Sequence, residues 1–123
     1  MAIRIVRLGS PRAASEGLRL GTVRRPPRGV RKADYARCNY YDLWLPDLAP
    51  SAKLVAQAQK NWPGFAKAYR REMKAAAAER LIWLLAALSQ RADFSVGCYC
   101  EDEERCHRSI LRELLVEHGA RVA

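Results

Sequence analysis

The chain has 123 residues, half of them hydrophobic, and carries 22 Lys and Arg against 13 Asp and Glu, a net charge of +9. That length and apolar content suit one compact core and exclude a chain too polar to fold. No apolar run approaches the roughly 20 residues that cross a bilayer, so no membrane partner is expected and the expected location is cytoplasmic.

The charge is uneven. Residues 1–37 hold ten Arg or Lys against Glu16 and Asp34, a balance of +8, while the remainder holds twelve against eleven, a balance of +1. Nine of those first ten are Arg, the side chain suited to bidentate contact with phosphate or carboxylate. Such a segment fits nucleic acid, a phosphorylated small molecule or an acidic protein surface, and equally a solvated basic face. The four cysteines are too few and too unevenly placed for a disulfide scaffold, so reduced thiols are expected. A redox pair of Cys100 and Cys106 stays open.

In chain order, residues 2–8 alternate apolar and basic, which predicts a first strand rather than a signal peptide. Gly9-Ser10-Pro11 breaks it. Leu18, Leu20 and Val23 suit a short strand, followed by a long, ordered, basic loop, Arg24-Arg25-Pro26-Pro27-Arg28-Gly29. Tyr40 to Pro46 reads as a short strand or extended bend. Ser51 is a helix N-cap, with a first helix predicted to about Lys60 and a second from near Pro63. In that second helix Phe65, Tyr69 and Met73 form one apolar stripe. The helix over 76–91 has so little polar face that burial on more than one side is expected. Trp44, Trp62 and Trp83 are expected in the core or at its rim. Phe94 to Cys100 reads as an interior strand. The last helix is predicted from Cys106 or His107, with Ile110, Leu111, Leu114 and Leu115 inward and Gly119 as its stop. Residues 120–122 suit a short edge strand. This order is that of an α/β fold with a largely parallel sheet, in which ligands bind beyond the carboxyl ends of the strands.

Three cysteines and a histidine crowd one such end: Cys98-Tyr99-Cys100, a loop with Glu101 to Glu104, then Arg105-Cys106-His107-Arg108-Ser109. A helix N-terminus favours anions and lowers a thiol's pKa. Cys106 is therefore the candidate nucleophile, with His107 and Arg108 assisting. The loop lacks glycines and carries four acids, which oppose an anion unless they point away. Its spacing differs from the cysteine-phosphatase loop. Zinc is disfavoured because Cys-x2-Cys pairs are absent and adjacent Cys106 and His107 rarely reach one ion. The bland alternative makes Cys98 and Cys100 small hydrophobes on a buried strand. Arg28, on its proline-braced loop, is expected to line the same cleft as Cys106.

Arg24 to Val30, Asp42 to Ser51, the helical Trp62, Phe65, Tyr69 pattern and the Cys106-His107-Arg108 ending together resemble the YeaO-like family, domain of unknown function 488. The resemblance spans nearly the whole chain. It implies a small α/β fold in a cytoplasmic prokaryotic protein and supplies no activity.

The expectation is thus one α/β domain over residues 1–123, a mostly parallel sheet flanked by helices. The ligand is expected to be an anionic small molecule, held by Arg25, Arg28, Cys100, Arg105 and Ser109. The competing reading is a nucleic-acid-binding module built on the arginine-rich first third. No metal and no cofactor are expected. Substrate, reaction and oligomeric state stay open.

Overall fold

A computed structural model describes all of residues 1–123. Its strands are β1 (Ile3–Arg7), β2 (Leu18–Gly21), β3 (Leu43–Trp44) and β4 (Phe94–Cys98). Its helices are α1 (Ala52–Val55), α2 (Trp62–Glu72), α3 (Ala76–Leu88) and α4 (His107–Glu117). The four strands form one parallel sheet in the order β1-β4-β2-β3. Val122 adds a parallel bridge to Ile3, placing the C-terminus at the β1 edge. No helix is long and apolar enough to cross a membrane.

The pattern of side chains explains this arrangement. All five residues of β4 are buried, as a strand flanked by two neighbours requires. Phe94 and Val96 join Ile3 and Leu20 in the main core, with Phe65, Tyr69, Ile82, Leu111 and Leu115 from the helices. The alternate positions Ser95 and Gly97 face the other side. There the Ser95 hydroxyl donates to Glu16 at 2.8 Å. A Cβ on Gly97 would lie 2.7 Å from the Val6 carbonyl oxygen, so only glycine allows β1 and β4 to approach this closely at their carboxyl ends. A smaller cluster of Leu8, Val23, Tyr41, Cys98 and Cys106 closes that end.

Four expectations need correction. α1 stops at Val55 rather than near Lys60. Leu54 is its one buried residue, so packing gives little reason to extend it, and Pro63 must enter α2 in its first turn behind the Asn61 cap. β4 ends at Cys98, because β1 and β2 supply no partners beyond Arg7 and Gly21. α3 is buried along one face only, through Ala78, Ile82, Leu85 and Ala86. Its Trp83, Leu84 and Leu88 are exposed, since α3 packs on α4 and the Pro46–Leu48 turn with nothing over its outer side. Trp44 is exposed as well, its indole N–H donating to the Val23 carbonyl at 2.6 Å.

Much of the basic first third is engaged internally. Arg19 is fully buried, and its guanidinium donates to both Glu16 carboxylate oxygens at 2.7 and 2.9 Å and to the carbonyls of Ser10 and Asn39. Arg12 pairs with Asp42 at 2.9 Å, Arg31 with Asp34 at 3.2 Å, and Arg7 with Glu101 at 3.4 Å. The Arg19 bond holds the Glu16 carboxyl down at about 2, against the desolvation that would raise it. Because folding favours the ionised form, Glu16 stabilises the protein fully above about pH 5 and loses that contribution as the pH falls towards 2. Urea unfolding across this range is expected to show about 3 kcal/mol of pH-dependent stability from this group. That component should be absent in Glu16→Gln, which should also be less stable at neutral pH because Arg19 is left buried without its counter-charge.

Candidate functional site

The carboxyl end of β4 and the start of α4 meet at the chain's cysteines. Cys98 is the last residue of β4, and Cys106 is the N-cap of α4, with extended torsions (φ −128°, ψ 150°). The chain leaves the sheet at Cys98, loops through the acidic segment and returns at Cys106. That return places the Cys98 and Cys106 sulfurs 2.6 Å apart. The Cys100 sulfur joins them, and all three lie within 4.8 Å of one another. All four cysteines are free thiols. Cys98 and Cys106 are each 2 % exposed, whereas Cys100 is exposed.

The cluster lies at a cavity of about 570 Å³. Arg24, Arg25 and Arg105 supply its charge, Val23, Val55 and Phe65 apolar wall, and Cys98, Cys100, Cys106 and His107 its reactive groups. Arg24 is partly occupied, donating to the carbonyls of Ala49 and Pro50 at 3.2 Å. Arg25 and Arg105 make no ion pair.

His107 is the first residue of α4 and is buried. Its Nε2 lies 2.7 Å from the Thr22 carbonyl oxygen, an atom that only accepts, so Nε2 carries the proton. The Thr22 hydroxyl donates to the Gly97 carbonyl at 3.0 Å and offers a second acceptor to Nε2 at 3.1 Å. Nδ1 is therefore left with its lone pair, 3.7 Å from the Cys106 sulfur. Burial pulls the imidazole pKa down to about 4, so the ring is neutral at physiological pH.

The three thiols share one ionisation. The neighbouring Cys106 and Cys98 thiols lower the Cys100 pKa, with further help from the charge of Arg108. The nearby Cys100 raises Cys98 and Cys106 in turn, and burial adds to both. Negative charge thus sits best on the exposed sulfur.

The residues singled out from the sequence divide into two groups. Cys100, Cys106, His107, Arg25 and Arg105 line one cavity. Arg28 does not: it borders a neighbouring hollow of about 310 Å³ with Pro27, Tyr40 and Tyr99, and Arg25 lines both. Arg108 is buried, its guanidinium donating to the Cys100 carbonyl at 2.7 Å, so it braces the loop. The Ser109 hydroxyl is turned back to the Cys106 carbonyl at 2.9 Å. Cys106, like Cys98, is a buried member of the cluster, and the accessible thiol is Cys100. Sequence reading missed Thr22, which fixes the His107 tautomer from a different strand connection. Only its polarity inside an apolar stretch hinted at it.

Iodoacetamide treatment of the reduced, folded protein, followed by peptide mass mapping, is expected to label Cys100 and Cys38. Cys98 and Cys106 should react only when the protein is unfolded.

A family model described as the active DUF488-N3 subclade, DUF488-N3a, matches residues 3–119. No curated protein and no solved structure matches the chain. The match covers almost the entire parallel sheet, the cavity and the Cys106-His107-Arg108 helix start, and the chain belongs to the DUF488 family, within its DUF488-N3 subclade.

Proposed function

We propose that this protein is an enzyme that takes a small anionic molecule, carrying a phosphate or a carboxylate, into the cavity at the three-cysteine cluster, with Cys100 as the attacking thiol. One observation carries this reading. The accessible sulfur of the cluster shares its cavity with Arg25 and Arg105, two guanidiniums without an ion-pair partner. The description of the family as active accords with catalysis.

The division of labour follows from position. Arg25 and Arg105 neutralise the ligand's charge, and the N-terminus of α4 adds partial positive charge at the cavity. Val23, Val55 and Phe65 offer apolar wall to the rest of the molecule. The Cys100 sulfur forms a bond to the electrophilic atom beside the anionic group, and the leaving group departs with the bonding electrons. Arg108 holds the Cys100 backbone in place through its carbonyl.

The competing reading, a nucleic-acid interface on the first third of the chain, has less support. Arg7, Arg12, Arg19, Arg24 and Arg31 all have intramolecular partners.

Inorganic phosphate is expected to slow alkylation of Cys100 while leaving that of Cys38 unchanged. Arg25→Ala should raise the phosphate concentration needed by about tenfold, the loss of one charge-assisted hydrogen-bonding partner. Equal slowing of both cysteines, or none, would count against an anion site at the cluster. Tight, steeply salt-dependent binding of single-stranded DNA that survives Arg25→Ala would favour the competing reading.

A further inference from the structure

We infer that the same cluster is a binding site for a soft divalent metal ion, zinc by chemistry, with Cys98, Cys100 and Cys106 as thiolate ligands and the fourth position facing the cavity. This goes beyond the anionic-ligand reading and does not depend on it.

The geometry carries the argument. A tetrahedral zinc site, with bonds of about 2.3 Å to sulfur, separates two sulfurs by about 3.8 Å. The three sulfurs all lie within 4.8 Å of one another. Cys98 and Cys106, at 2.6 Å, must part by about 1 Å to sit on one ion, a small rotation of either thiol. Sequence spacing counts against adjacent Cys106 and His107 as joint ligands, and the structure agrees, since His107 is not among the donors that lie within 4.8 Å of one another.

The surroundings match the chemistry. Three thiolates and a divalent ion leave one net negative charge. The α4 N-terminus and the buried Arg108 guanidinium offset it. Each thiol gives up its proton as its sulfur–metal bond forms, so uptake releases up to three protons per ion and consumes no oxidant or reductant. The exposed Cys100 gives the ion a way in from the cavity.

The test is cobalt(II) titration of the intact, reduced, chelator-treated protein, followed by displacement with zinc. The expected result is one cobalt per chain, with the visible bands of a tetrahedral site, an intense thiolate-to-cobalt charge-transfer band, and loss of both on adding zinc. Cys100→Ser alters only the exposed ligand. It should keep its fold by circular dichroism, lose about a third of the charge-transfer intensity and bind at least tenfold more weakly. Zinc should shield Cys100 but not Cys38 from iodoacetamide. Folded wild type that takes up no cobalt, or Cys100→Ser with undiminished charge-transfer intensity, overturns the assignment. Phosphate protection of Cys100 without a cobalt band would sink the metal site and leave the anion site standing. A cobalt band without any phosphate effect would do the reverse.

Discussion

The structure turns on where β4 ends. A strand with neighbours on both sides must be buried along its whole length, and this one runs out of partners at Cys98, where β1 and β2 also stop. The chain has to leave the sheet there, and α4 has to return beneath it so that Ile110, Leu111, Leu114 and Leu115 reach the core. Those two requirements bring the last residue of the strand against the cap of the helix. Both are cysteines. The contact between the Cys98 and Cys106 sulfurs is therefore a product of the fold, and the position of Cys100 follows from the loop between them.

Much of this fold is legible in the sequence because it rests on period and punctuation. The alternation of residues 2–8, the Ser51 cap, the Phe65-Tyr69-Met73 stripe and Gly119 with its positive φ of 90° each act locally. What the sequence hides depends on distant neighbours. The unbroken apolar run from Leu81 to Leu88 looks buried all round, yet only one side of α3 finds a partner. The charge of the first third looks like one basic surface. Arg19 instead sits inside the protein on Glu16, and Arg12 on Asp42, through contacts whose spacing gives no sign of burial.

The site shows the same division. Its location is readable, because cysteines at the carboxyl end of an interior strand stand out in any α/β pattern. The roles within it are not. Helix-start logic favours Cys106 as the reactive thiol, and the cap position does draw Cys106 to the cluster, but as its buried floor. The exposed sulfur belongs to Cys100, which the sequence places at the end of the interior strand and the structure places two residues beyond it. Arg108 looks like an anion ligand beside the helix start and instead reaches back to the loop carbonyl of Cys100. Arg25, from the proline-braced loop, comes to the cavity in place of Arg28 because that loop curls around Tyr99, whose hydroxyl donates to the Arg25 carbonyl at 2.9 Å.

The convergence of three sulfurs on one cavity is the claim on which the functional readings stand. It is tested most directly by locating the sulfurs in crystals of the reduced protein, using their anomalous scattering. The account predicts three peaks within about 5 Å of one another at the junction of β4 and α4, with the Cys38 sulfur well apart. A Cys100 sulfur turned away from the other two, on the far side of the acidic loop, would contradict it.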